Sequence, residues 1–355
     1  MIWTTWRQHR AELTVGAFIV AAIGAAMIVV GNTARSRANG LSLPACMRAR
    51  RDCSAALESL HRDFHSIPPF TGALVAIPLL AGMFWAAPII SREYEAGTHR
   101  LAWTQSISPL RWITVKIALI FSAIAAAALL LGLLATWTLD PLTAAFGGRY
   151  NSTWYDVQGL VPVACILVAL AVGVAASAII RRTIPAMAVT LVVYAALRIP
   201  IHWIRWRFAP LASHTFAVAL TDVSRMPEGS PQDLVPAVAS TDWVHGVTVT
   251  DAAGHALPTG NGNLSILQHY CPKLQEIRAP GSGTGASSGT TTEIHFQNMD
   301  ACRATVNNLS IREKLSYQPA SHFWFMQTVE SALFLVVVGL LVAATLYAVT
   351  RRRPT

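Results

Sequence analysis

Ser91–Arg111, SREYEAGTHRLAWTQSISPLR, is a polar island between two long apolar runs, residues 70–90 and 112–139. Each run is long enough to cross a hydrocarbon core, which takes about 20 helical residues. Read this way, the island is the turn between two transmembrane helices, and the chain falls into order around it. Within the island Ser91 is expected to cap a short helix through Arg92, Glu93, Tyr94 and Glu95, ended by Gly97. An isolated helix of two turns is marginal in water, so an interface or a partner must hold it. Ser108 before Pro109 marks the start of the following span. Lys116, two turns further, is within reach of the membrane surface and is expected to snorkel.

Composition supports the same reading. Of 355 residues 53% are hydrophobic and 13% charged, about half the charge of a soluble domain. Six apolar runs are long enough to span: 13–31, 70–90, 112–139, 157–180, 183–204 and 323–349. The first lacks a small-x-small cleavage site and reads as a retained span, not a signal peptide. Before it, residues 1–12 form an interfacial amphipathic segment or a plain polar flank, with Trp3 and Trp6 near one face and Arg7 and Arg10 on another. The expected fold is an all-α polytopic membrane protein of six transmembrane helices. A small mixed α/β extracytoplasmic domain, residues 205–322, lies between spans 5 and 6, where runs such as HGVTVT and EIHFQN are β-prone.

Charge sets the orientation. With both termini cytoplasmic, the short pieces 1–12, 91–111, 181–182 and 350–355 (a basic tail) hold Arg7, Arg10, Arg92, Arg100, Arg111, Arg181, Arg182, Arg351, Arg352 and Arg353. The much longer outer pieces are far sparser in Lys and Arg, as the positive-inside rule requires. The first outer loop departs from the trend with six Arg, among them Arg35, Arg37 and Arg62. The net charge of +9 is therefore accounted for by topology and gives no reason to expect nucleic acid. Lys is scarce and Ala abundant, which fits a GC-rich bacterial genome and a bacterial plasma membrane.

Four cysteines fall outside: Cys46, Cys53, Cys271 and Cys302. Three pairings are open, of which Cys46–Cys53 and Cys271–Cys302 are the most local; free thiols are the other reading. His61 and His65 have the i, i+4 spacing of a metal pair but no third ligand in register, so no metal site is assigned. Pro68 and Pro69 are expected to stop an amphipathic helix over residues 56–64. Pro78 and Pro88 bend the second span, and Gly173, Ala176 and Ser177 let the fourth approach its neighbours closely. Arg198 in the fifth span and Glu330 in the sixth lie at comparable depth, and charges in a bilayer pair or line a cavity. They are a candidate ion pair; separate snorkelling is the alternative. GASSG at 285–289 is a formal G-x-S-x-G, but in a low-complexity run without the strand and helix of a nucleophile elbow. No convergent acid, base, nucleophile or metal set points to an enzyme.

The run E-x-E-x-G-T-x-x-L-x-x-T-x-S-x-S-x-x-R-W over residues 93–112, with Lys116 one turn on, resembles the ABC-2-type transporter permeases, especially the six-span actinobacterial type. So do the W-x-Q-H start, the D-x-x-G-x-V-P of Asp156, Gly159, Val161 and Pro162, and the R-R-T-x-P-A turn at Arg181–Ala186. The segment Tyr317–Trp324 with Gln327 and Glu330 is similar too. The resemblance implies that the island is a coupling loop docked on a separate ATP-binding subunit through Glu93, Glu95, Gly97, Thr98, Arg100 and Leu101. It further implies a dimer of permeases, homomeric or with a paralogue, and a substrate path between the second and fifth spans, here Met83, Phe84, Trp85 and Tyr194. ATP and Mg would belong to the partner, since no G-x-x-x-x-G-K-[ST] occurs in this chain. The expected function is the permease subunit of an ABC exporter moving a hydrophobic or amphipathic substrate outward. The alternative is a non-transporting sensor or assembly scaffold whose extracytoplasmic domain binds a ligand.

Overall fold

A computed structural model of the chain describes residues 2–49, 53–96, 108–217, 242–251, 253–256, 275–279, 293–297 and 312–351. It has two compact units, Met1–Pro210 with Ala320–Thr355, and Leu211–Pro319.

The first unit is helical. Helix α1 (Ile2–Gly40) runs unbroken through both the segment expected to lie in the interface and the span expected at 13–31. No proline occurs before Pro44, so nothing separates the two, and the helix carries on through Arg35 and Arg37. Those arginines have partners: Arg35 sits 3.8 Å over the Trp137 ring and Arg37 Nε is 2.6 Å from Asp63 Oδ2. Local pairing thus accommodates part of the positive charge in this loop.

Helices α2 (Leu43–Arg48) and α3 (Ser54–Asp63) follow, joined by a Cys46–Cys53 disulfide. Contrary to expectation, Pro68 and Pro69 do not stop α3, which ends at Asp63. They open α4 (Ile67–Leu74) in its first turn, where a missing N–H has no helical partner to lose. His61 stacks on Phe146 and turns Nδ1 to the Ala145 carbonyl, while His65 Nδ1 meets the Arg62 carbonyl.

The second span continues through α5 (Ile77–Ala81), a π-helical turn (Gly82–Ala86) and α6 (Ala87–Glu95). The Pro88 ring crowds the carbonyl four residues back, and the preceding turn widens to accommodate it. Then come α7 (Pro109–Leu139), a 3-10 turn (Asp140–Ala145), α8 (Ser152–Val157), α9 (Val161–Ile180), α10 (Thr183–Ile204) and α11 (Phe323–Arg351). Ser108 caps α7, accepting from the Arg111 amide at 3.3 Å, with Pro109 at the first helical position.

Among the described residues, six stretches are long and apolar enough to cross a membrane: Thr14–Gly40, Ile67–Glu95, Ile113–Ala145, Val161–Ile180, Thr183–Arg207 and Ala320–Thr350. The fourth is central. Buried residues make up 78% of its apolar window, against 28% or less in the others, and α6, α7, α10 and α11 all pack on it. In lipid such packing rests on close fit, because apolar side chains gain little by leaving the bilayer. The fit is tight where α9 crosses the π turn: a Cβ on Gly173 would stand 2.6 Å from the Gly82 carbonyl oxygen, and one on Gly82 2.7 Å from that of Ala169. At the end of the bundle that carries the disulfide, Leu60, Leu139, Leu142, Phe146 and Trp154 form a separate apolar cluster.

The second unit is described through its strands, β1 (Ala212–Ala217), β2 (Trp243–Thr250), β3 (Gln275–Ala279), β4 (Glu293–Gln297) and β5 (Arg312–Gln318). β5 lies between β1 and β2, antiparallel to both, with a register shift between Val244 and Gly246; β3 and β4 pair antiparallel. Cys271, Cys302 and residues 285–289 lie outside the described residues.

Candidate functional site

At the end of the second span, Ser91 does not act as a cap. Nothing breaks the helix between Pro88 and Glu95, so Ser91 sits mid-helix, buried, and its Oγ donates to the Ala87 carbonyl at 2.9 Å. The same oxygen lies 2.9 Å from Thr183 Oγ1. Thr183 opens α10 after a two-residue turn in which Arg181 takes a left-handed conformation, φ 57°. An L side chain adopts this at a cost of about 1 kcal/mol or more, so surrounding contacts must hold the turn.

They come from the second span. Arg182, at the N-cap position of α10, makes no side-chain cap bond. Glu95 supplies it from across the bundle: Oε1 accepts from the Thr183 amide and Oε2 from its hydroxyl, both at 2.8 Å. A carboxylate is also the right charge for a helix N-terminus. Next to it, the Arg181 guanidinium stands 5.1 Å from the Tyr94 ring centroid.

Glu93 reaches the other way, to Lys116 of α7. The ammonium is ion-paired with Glu93 Oε1, and their side chains are 5% and 15% exposed. Lys116, expected to snorkel, is instead buried and held by a carboxylate one helix away. Ser91, Glu93, Tyr94 and Glu95 together tie the end of span 2 to the starts of spans 3 and 5. Gly97, Thr98, Arg100 and Leu101 lie outside the described residues.

A second polar cluster surrounds the opposite end of α9. Arg198 bridges two carboxylates, with Nη1 2.5 Å from Glu330 Oε1 and Nη2 paired with Asp156 Oδ1. Arg205 Nη1 adds a 2.8 Å contact to Asp156, and His202 faces the same carboxylate. Burial pushes the Asp156 carboxyl up, but the His202 ring 3.7 Å away and the Arg198 and Arg205 charges outweigh it and hold the group below its ordinary value. Beside this cluster the buried Gln327 caps α9: Oε1 accepts from the amides of Leu160 and Val161 at 3.0 and 2.9 Å, and Nε2 donates to the Tyr155 carbonyl. Gly159, φ 64°, brings the chain close to Gln327; a Cβ there would stand 3.0 Å from Oε1. Asp156 and Gly159 of the D-x-x-G-x-V-P stretch thus hold the start of α9.

The four substrate-path candidates do not share one surface within a chain. Phe84 is 62% exposed, whereas Tyr194 is 6% exposed. Trp85 packs near Gly16 of α1, and Met83 is half-buried.

Six apolar spans, the fourth of them buried and flanked by polar clusters at both ends, define a multi-pass membrane protein without a catalytic constellation among the described residues. The family described as ABC-2 membrane transporter related matches residues 17–205, over half of the chain, from the first span to the end of the fifth. The chain belongs to that family: it is an ABC-2-type permease, a membrane transport component of a kind that normally works with an ATP-binding subunit. No curated protein and no solved structure matches it.

Proposed function

We propose that the chain is the transmembrane subunit of an ATP-driven exporter for a hydrophobic or amphipathic substrate. The observation that carries this reading is the polar assembly at the end of span 2, in a chain of this family. It joins the 91–111 loop to spans 3 and 5, and a force applied to the loop is thereby passed to the bundle. In this reading the loop is cytosolic, both termini lie inside, and residues 205–322 lie outside. The Cys46–Cys53 disulfide supports the orientation, since its loop then faces an oxidising compartment.

A separate P-loop subunit, holding ATP and Mg, docks on the loop at Gly97, Thr98, Arg100 and Leu101. Its closure rocks a permease dimer between inward- and outward-open states, both sites biasing one two-state element. The four candidate path residues contribute to transport across the dimer, where the exposed Phe84 is available to a second copy. The chain is tested by co-expression with a P-loop ATPase from a reading frame of the same genome neighbourhood. The two are expected to co-purify, with MgATP hydrolysis by the complex changed several-fold from that of the ATPase alone, and Gly97→Pro is expected to abolish the change. A chain that captures no ATPase refutes the proposal.

A further inference from the structure

The two glutamates of the polar island carry a role that the docking picture does not give them. Glu93 is almost enclosed against Lys116, and Glu95 spends both of its oxygens on the first residue of α10. A carboxylate engaged in this way is a poor hook for another protein, because it must first release what it holds. The partners are also informative. Lys116 stands two turns into α7, and Thr183 is the first residue of the α10 helix that forms a tight hairpin with the buried α9. Ser91 adds a third tie, to the same Thr183, and Tyr94 a fourth, to Arg181 in the hairpin turn. Four residues of one helix end, Ser91, Glu93, Tyr94 and Glu95, thus reach both neighbours.

We propose that Glu93 and Glu95 are positioning residues that lock the end of span 2 to span 3 and to the span 4–span 5 hairpin, so that displacement of the loop moves these elements as one body. The ATP-binding subunit is then gripped by the loop beyond Glu95, and the glutamates transmit the movement without touching the partner. This rests on the proposed function, since it presumes a partner that pushes the loop.

Contact and transmission give opposite results in the complex with the P-loop ATPase that co-purifies, reconstituted in lipid nanodiscs with MgATP as the probe. Glu93→Gln, Lys116→Met and Glu95→Gln are expected to co-purify with the ATPase at wild-type stoichiometry. The permease-dependent change in hydrolysis is expected to fall at least tenfold in the first two and by a smaller factor in the third. The exchange Glu93→Lys with Lys116→Glu is expected to recover at least half of it, which a docking surface specific for a carboxylate would not allow.

Should the buried variants fail to fold, Ser91→Cys with Thr183→Cys gives an independent test, since the two side-chain oxygens are 2.9 Å apart. Oxidation would join spans 2 and 5 covalently, and the cross-linked complex is expected to keep the hydrolysis change within twofold. Loss of co-purification in Glu93→Gln or Glu95→Gln, or loss of the hydrolysis change on cross-linking, overturns the inference while leaving the permease assignment standing. Failure of the wild-type chain to capture the ATPase removes both, and is told apart because no variant is needed to see it.

Discussion

Glu95 accepts two hydrogen bonds from Thr183, one from its amide and one from its hydroxyl, each 2.8 Å long, across 88 residues of sequence. The second span thereby caps the fifth, whose own N-cap position, Arg182, provides no acceptor. The contact is solvent-exposed, so its worth lies in where it places the α10 start more than in stability. Thr183→Val, which deletes only the hydroxyl and so breaks the ties to Glu95 Oε2 and Ser91, is expected to lower the thermal midpoint of the detergent-purified protein slightly. It should lower it less than any change at Lys116.

Lys116 is the more costly position. Removing one partner of a buried pair leaves an uncompensated charge, at about 3–5 kcal/mol. Lys116→Met is therefore expected to destabilise strongly. Adding Glu93→Gln should return most of the loss, because no charge is then stranded. Thermal unfolding of the two single variants and the double variant closes this cycle.

Arg198 serves two buried carboxylates, Asp156 and Glu330. Arg198→Met strands Glu330 and leaves Asp156 to Arg205, and is expected to be worse than Glu330→Gln, which keeps the shape of the acid and leaves Arg198 paired with Asp156. Expression level and monodispersity on gel filtration should rank wild type first, then Glu330→Gln, then Arg198→Met. The reverse order of the two variants would mean that Glu330 holds the cluster together.

Acid should act through Asp156. Burial raises its folded pKa, but the two guanidinium groups and the nearby His202 ring outweigh that and leave it depressed. The stabilisation it provides is thus fully present above the ordinary carboxylate value, about 3.9. It is lost as pH falls through the lower folded value. The thermal midpoint of the wild type is expected to drop below about pH 4 more steeply than that of Asp156→Asn, measured side by side.

Close contact between spans 2 and 4 predicts a steric asymmetry among glycines. Gly173→Ala puts a methyl 2.6 Å from a backbone oxygen, whereas Gly339→Ala in α11 meets nothing within 4 Å. The first is expected to destabilise by about 1–3 kcal/mol or more, as overpacking does. The second is expected to be neutral or mildly stabilising, since Ala is the better helix former. Thermal midpoints of the two variants in one detergent decide it.

Much of the bundle was legible because it depends on local composition. Twenty apolar residues in a row span or they do not, whatever lies elsewhere, and the Ser108-Pro109 start of α7 is a property of two adjacent residues. Depth counting could set Arg198 beside Glu330 as candidates, yet it was silent on Asp156, which sits in a short helix outside the apolar runs. Ser91 misled because a cap and a mid-helix serine read alike until the end of the helix is known. Lys116 misled because snorkelling is the default only when no carboxylate is in reach.

By itself, then, the amino-acid sequence determined the class: a six-span, arginine-flanked chain with one polar island, resembling the family to which it belongs. Hydropathy and short motifs act over a few turns, and one sequence displays them. Tertiary structure alone decided what the island's glutamates hold. Glu93 meets Lys116 and Glu95 meets Thr183 only because α7 and the α9–α10 hairpin lie on either side of the same helix end, and the choice of neighbours is made by packing around α9, not by spacing along the chain.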